Sequence, residues 1–374
     1  MISKTKLFAS LSASGLAISI GIVGTAATAS ATTDPIYGWT LRQQVGAVFM
    51  IGAPVAEMSD LTLSLLEDYA VGGVFLEGRS TAGVEAIAEQ TAKYREVKTT
   101  PQKLLISTDQ EGGNVTVLRG PGFTLMPSAL AQSFTTTIGR EAHTWGLELR
   151  AAGVNVNLAP VADLVDRDMN AKDNPPTGYW DRQYGRTPAE IQAKAGAFAR
   201  GMQRAEVIPT IKHFPGLGRV NGNTDIATGV TDNVTTPDDA SVRLFNQMAI
   251  RLQNYDPKPW VMMGTAVYDK IDSHNPAAFS AKAVQLVRDA GFYGVIITDD
   301  LSNAAQVTVY PPAERAIRAL EAGVDIVLYS AKIDDVAEAM DAVFRKAELV
   351  PEFRTKVEDA ARRVAWAAST LPED

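Results

Sequence analysis

Short, uninterrupted apolar runs recur along this chain, each followed by a stretch with helical periodicity, and that alternation leaves few folds open. The runs are Ala47–Ile51, Gly73–Leu76, Lys103–Thr108, Val154–Pro160, Ile208–His213, Trp260–Val267, Val295–Asp299 and Val324–Tyr329. They are continuous rather than alternating, as expected of strands covered on both faces in a parallel sheet. The helical stretches are Asp60–Tyr69, Ala82–Tyr94, Ile138–Ala152, Pro188–Ala205, Asp238–Leu252, Ala281–Asp289, Ala313–Ala322 and Ile333–Lys346. Thr187 ahead of Pro188 has the chemistry of an N-cap, with Glu190 at capping-box spacing. A last helix, Glu352–Ala368, is expected to pack on the outside. The 374 residues allow about two ordinary domains or one large barrel. Eight strand–helix units with no internal repeat or low-complexity linker favour the barrel, an α/β fold of (β/α)8 TIM type over residues 32–374. The competing α/β fold is an open doubly wound sheet, and no Gly-x-Gly-x-x-Gly follows the first strand to support it.

The first 31 residues read differently. Lys4 and Lys6 precede an apolar run from Leu7 to about Val23, and Ala29-Ser30-Ala31 fits a small-residue cleavage site. This is the pattern of a secretory signal peptide. An uncleaved membrane anchor is the alternative, but the run is short and broken by Ser and Gly. The mature chain is therefore expected outside the cytoplasm, secreted or at the cell envelope, with no membrane span. With 35 Lys+Arg against 43 Asp+Glu the net charge is −8. An acidic chain without a long basic run is a poor nucleic-acid ligand. Cys is absent, which excludes disulfides, zinc thiolates and thiol catalysis. Three scattered histidines, His143, His213 and His274, do not form a histidine-rich metal site, so no metal is expected.

In a barrel of this kind, chemistry gathers at the C-terminal strand ends. The third strand runs into Asp109-Gln110-Glu111-Gly112-Gly113, and the fourth from Asn157 to Asp163. The fifth ends in Lys212-His213-Phe214-Pro215-Gly216, and the seventh in Thr298-Asp299-Asp300-Leu301-Ser302. Carboxylates, a lysine, a histidine and an amide are thus delivered to one rim. A small polyhydroxylated ligand needs such an array of hydrogen-bonding groups, and a carboxylate among them is able to attack an anomeric carbon.

These residues carry a resemblance. The chain is similar to glycoside hydrolase family 3, in its short single-barrel branch of β-N-acetylhexosaminidases. The matching motifs are Gly72-Gly73-Val74-Phe75, Asp109 to Gly113, Asn157 to Asp163, Asp181-Arg182-Gln183-Tyr184-Gly185, Lys212 to Gly216 and Thr298 to Ser302, in family order. Phe279-Ser280 falls in a further family stretch. The resemblance implies retaining cleavage of terminal β-linked N-acetylglucosamine-type sugars without metal or organic cofactor, with peptidoglycan fragments as the usual bacterial substrate. It implies that Asp299 is the nucleophile and that Asp109 accepts hydrogen bonds from sugar hydroxyls. Arg182, Lys212 and His213 fall at sugar-binding positions, Asp163 braces that cationic group, and Glu111 is structural. Asp300 is expected to be an N-cap or support, His143 a packing or surface residue, and His274 has no assigned role. Without the resemblance, Asp299 reads as a helix N-cap, Asp109 as a surface acid, His213 as an ordinary buried histidine and Asp163 as purely structural.

One segment departs from that branch. Its general acid/base is a His on the loop after the fifth strand, oriented by an Asp two residues earlier. Here, without a gap from Lys212, the loop places Leu217, Asn223 and Asp225 at the first variable His, the orienting Asp and the catalytic His. Asp225 is the replacement proton donor in this reading, since a carboxylic acid is the ordinary donor in this chemistry once its pKa is raised. The alternatives are a glycosidase of altered specificity, a catalytically impaired homologue that binds sugar or regulates, or a cell-envelope scaffold. Gly216, Gly218 and Gly222 predict a loop that moves into the site when ligand is present.

Overall fold

Each apolar run becomes a strand of a closed barrel: Phe49–Pro54 (β1), Gly73–Glu77 (β2), Leu105–Thr108 (β3), Val156–Asn157 (β4), Ile208–Phe214 (β5), Trp260–Met263 (β6), Ile296–Asp300 (β7) and Ile326–Tyr329 (β8). The computed structural model describes residues 34–373; the expected signal peptide lies outside them. Sequential strands are neighbours, β8 closes on β1, and every barrel pairing is parallel. The helices Asp60–Asp68, Val84–Val97, Ile138–Ala151, Pro188–Arg204, Ala240–Leu252, Ala281–Asp289, Pro312–Ala322 and Val336–Leu349 alternate with them, so the (β/α)8 barrel is the fold. Among the described residues no helix is long and apolar enough to cross a membrane.

Local chemistry sets several boundaries. Thr187 accepts the Glu190 amide at 3.2 Å with Pro188 in the first turn, while Glu190 reaches back to the Arg186 amide at 2.9 Å. The expected strand Trp260–Val267 divides. Trp260–Met263 stays in the barrel, and Val267–Tyr268 leaves to pair with Thr231–Asp232 and Ser273–Pro276 on the rim. An apolar run does not say which strand it will pair with, so the break was not legible.

The apolar residues fall into two layers. One fills the sleeve between strands and helices. The other fills the lumen: Met50, Leu105, Val156, Ile208, Trp260, Ile297 and Ile326 meet Val364, Ala367, Ala368 and Leu371. Those last four come from the end of the final helix, Pro351–Ser369, and the turn after it. Its Phe353, Val357, Ala360 and Ala361 pack in the sleeve, as expected of an outer helix, but its far end closes the barrel's N-terminal opening. Lys103, just ahead of β3, fixes that end by donating to the Leu371 carbonyl at 2.6 Å. Periodicity identified the apolar stripe without showing that it serves two cores.

Two barrel pairings slip in register near the opposite end. β5 against β6 shifts between Lys212 and Phe214, and β7 against β8 shifts between Ile297 and Asp300.

Candidate active site

The register slips decide which side chains the rim presents. In a regular strand, consecutive side chains face opposite sides. Yet Lys212 and His213 both line one cavity of about 300 Å³, and so do Asp299 and Asp300. A bulge turns a strand locally and re-aims its side chains, and one lies at each of these pairs. Asp109, Arg182 and Asp225 complete the polar wall. The floor is apolar, with Phe75, Leu158, Met262 and Leu328 from the barrel interior. The structure thus brings Asp109, Arg182, Lys212, His213, Asp225 and Asp299 to one cavity, with Asp163 buried behind it.

Opposite Asp299 stands a charge cluster. Lys212 Nζ lies 2.5 Å from Asp109 Oδ1 and 2.6 Å from Glu111 Oε1, with its side chain only 3% exposed. Arg182 grips Glu111 with two bonds, Nε to Oε2 at 2.9 Å and Nη2 to Oε1 at 2.8 Å. Burial alone pushes the Glu111 carboxyl up, but the Arg182 and Lys212 charges outweigh it and hold the group well below the carboxylate range. Burial likewise works against the charge on Lys212, and Asp109 and Glu111 restore it. Glu111 is therefore the fixed anion of the cluster rather than a proton donor. Tyr184 explains part of the Asp181-to-Gly185 motif: it donates to Gln132 at 2.6 Å, and Gln132 donates to the Glu111 carbonyl at 2.8 Å.

Asp163 accepts four hydrogen bonds. Its Oδ1 takes the His213 amide at 3.1 Å and the Leu217 amide at 2.9 Å; its Oδ2 takes Thr177 Oγ1 at 2.8 Å and faces His213 Nδ1 at 2.9 Å. Burial opposes ionisation here, yet His213 and these donors hold the carboxyl below its ordinary value. An ionised Asp163 requires a proton on Nδ1, which leaves Nε2 towards Arg182 Nη2, 3.4 Å away. Asp163 contacts His213 directly and Arg182 only through it.

The two acids at the end of β7 differ. Asp300 Oδ1 accepts from the Ser302 amide, Ser302 Oγ and the Ser330 amide, and its Oδ2 accepts the Asn303 amide, all within 2.9 Å. It is the support of the turn. Asp299 Oδ1 accepts the Asp300 amide at 2.9 Å, and among the described residues no side chain donates to it. Burial raises the Asp299 carboxyl to about 6; the Asp225 charge adds to the rise, while His213 and Lys212 oppose it.

Asp225 is exposed and belongs to the loop after β5. Asn223 Oδ1 accepts the Asp225 amide at 2.9 Å, an Asx turn that shapes the loop tip. The tip is docked on the segment after β7: Ala305 donates to the Asp225 carbonyl at 3.2 Å, and Gln306 to the Thr224 carbonyl at 3.1 Å. Two of the loop glycines sit at close contacts. A Cβ on Gly218 would strike the Leu164 carbonyl, and Gly216, at φ +126°, lies against Ser241 Oγ. In this structure the loop tip is seated at the cavity, with Asn223, Thr224 and Asp225 in its wall.

Other sequence candidates serve the frame. Asn157, fully buried, exchanges two 3.0 Å bonds with the Gln110 backbone. Ser280 caps the helix Ala281–Asp289 and donates to Asp272 at 2.8 Å. His143 lies on the helix Ile138–Ala151 and His274 contacts Ser273; neither lines the cavity. Thr177 and Gln306 went unnoticed in the sequence, because a lone Thr or Gln in a loop gives no signal without its distant partner. Among the described residues, no group of His, Asp or Glu is arranged to hold a metal ion.

Residues 40–367 match the glycosyl hydrolase family 3 N-terminal domain. The chain belongs to glycosyl hydrolase family 3. It is accordingly a glycoside hydrolase enzyme, and its relatives agree. β-Hexosaminidase LpqI of Mycobacterium tuberculosis is 30% identical over 322 residues, covering 82% of this chain and 78% of the relative. The β-hexosaminidase of Methylococcus capsulatus is 32% identical over 306 residues, covering 79% and 84%. Among solved structures, the β-N-acetylhexosaminidase of Beutenbergia cavernae superposes with a TM-score of 0.85 at 47% identity, covering 88% of this chain and 98% of that one.

Proposed function

We propose that this chain is a retaining glycosidase that releases terminal β-linked N-acetylglucosamine-type sugars from peptidoglycan fragments outside the cytoplasm, with Asp299 as nucleophile and Asp225 as acid/base. The observation that carries this reading is the pairing of two unlike carboxylates across one cavity. Asp299 stands on a strand end with no side-chain donor blocking it, and Asp225 lies near enough for its charge to act on Asp299. In the first step Asp299 bonds to the anomeric carbon as the glycosidic bond breaks, and Asp225 passes its proton to the departing oxygen. In the second, Asp225 takes a proton from water, the water oxygen bonds to the anomeric carbon, and Asp299 is released. Asp109, Arg182, Lys212 and His213 hold the sugar by charged hydrogen bonds. The sugar class rests on the names of the hexosaminidase relatives, and the location on the N-terminal pattern together with a secreted glycosyl hydrolase of Arthroderma benhamiae that is 29% identical.

Turnover of a β-linked N-acetylglucosaminyl–N-acetylmuramic acid fragment by wild type and by Asp225→Asn tests the reading. The variant should lose about a hundredfold or more on that poor leaving group, less on an activated aryl glycoside, and recover part of the second step with azide. A wild type as inert as the variant, with sugar binding intact, would instead establish the impaired, sugar-binding alternative.

A further inference from the structure

Two large aromatic side chains are exposed on a hydrogen-bonded turn whose ends line the cavity. Tyr179 is 54% exposed and Trp180 43% exposed, with ring centroids 4.9 Å apart and planes at 78°. They belong to the loop between Pro176 and Arg182, both of which line the cavity. Arg182 Nη1 donates to the Pro176 carbonyl at 2.8 Å and closes the neck of that loop at the cavity wall. Within it, fully buried Asn174 accepts the Thr177 and Gly178 amides at 3.1 and 2.9 Å and donates to the Leu217 carbonyl at 2.9 Å. Tyr179 donates its amide to the Asn174 carbonyl at 2.9 Å, and Thr177 Oγ1 reaches Asp163. Lys172 binds the Tyr179 carbonyl at 3.0 Å and Asp181 at 2.7 Å.

The turn therefore shares its hydrogen bonds with the carboxylate that orients His213. Its backbone is tied down by these hydrogen bonds while its two aromatic side chains are exposed, and an aromatic with few rotamers loses little entropy when a ligand covers it. A β-linked pyranose presents axial C–H groups on its faces and hydroxyls at its edge. One face suits an aromatic ring, and the edge stays in water.

Resting on the glycosidase reading above, we propose that Tyr179 and Trp180 form a stacking platform for the sugars beyond the scissile bond, so that the preferred substrate is a β-linked oligosaccharide rather than a single sugar on a small aglycone. Trp180 is two residues from Arg182, a span of about 7 Å at full extension, so the platform lies within reach of a chain leaving the cavity.

Two substrates separate the platform from the cavity: the β-1,4-linked N-acetylglucosamine tetramer, and N-acetylglucosaminyl β-fluoride, whose leaving group needs no platform. Tyr179→Ala/Trp180→Ala should raise KM for the tetramer by about tenfold with kcat nearly unchanged, and leave both constants for the fluoride alone. Trp180→Phe should retain most of the tetramer affinity. An unchanged tetramer KM, or an equal rise for the fluoride, overturns the proposal, as does a variant whose only change is its oligomeric state. If wild type hydrolyses neither substrate, the glycosidase reading fails by itself. Calorimetric titration with the tetramer then decides the platform: weaker binding by the double variant supports it, and equal binding overturns it.

Discussion

Asp299 is held where a carboxylate is least comfortable, and that has measurable consequences. Its pKa in the fold, about 6, lies above the ordinary aspartate value of 3.8. The folded state therefore binds more protons than the unfolded chain between those values, and stability falls as pH rises through that window. Asp299→Asn should abolish turnover and yet raise stability at pH 7 by about 1–3 kcal/mol, a gain that vanishes below pH 4; urea denaturation at the two pH values checks it. For activity the sign reverses, because Asp299 in its proposed role as nucleophile must be ionised. With an activated substrate the acidic limb of kcat/KM is expected near pH 6, and Asp225→Asn should move it lower by removing a repelling charge. The cation cluster behaves otherwise. Lys212→Ala leaves Asp109 and buried Glu111 with one cation fewer, at a stability cost of about 3–5 kcal/mol. Lys212 thus supports the fold as well as any sugar, more than its sequence position suggested. An unchanged urea midpoint in that variant would show the cluster to be energetically idle.

At the level of elements, the chain declared its periodic parts and concealed its irregular ones. All eight strands were legible because burial on both faces leaves a continuous apolar run, as in Ile208 to Phe214. The bulges at Lys212 and Asp299 were not, since a register slip depends on the neighbouring strand and leaves no local mark. The identities of the cavity residues were readable from motif resemblance, but the mounting of Asp225 was not. Its loop is latched by Gln306, which is buried and exchanges bonds of 2.9 and 3.2 Å with the Val230 backbone. Glycine content alone did not show the close contacts that Gly216 and Gly218 make. Gln306→Ala should therefore free the segment from Leu217 to Val230. Amide exchange there should accelerate, and kcat on a poor leaving group should fall by about tenfold or more, while an activated substrate suffers less. Uniform loss on both substrates would make Gln306 a plain packing residue.

For the molecule as a whole, the barrel is the part that sequence arithmetic reached directly, because alternating units of this number close on themselves. Less visible was the end of the last helix, which stops the barrel from below with Val364, Ala367, Ala368 and Leu371. Phe75, Leu158, Met262 and Leu328 floor the cavity from within. The cavity is thus blind, and that fixes the order of departure. On the proposed mechanism the part of the substrate outside the rim leaves first, and the sugar seated on the floor leaves last by the way it came. Free N-acetylglucosamine then competes with incoming substrate for an unoccupied seat. Added to an assay it should raise KM and spare kcat, whereas a fall in kcat would show that the sugar also binds a form of the enzyme that already holds substrate. Where released sugar accumulates faster than it diffuses, the enzyme slows itself without any regulatory site, through the plugged floor of its own barrel.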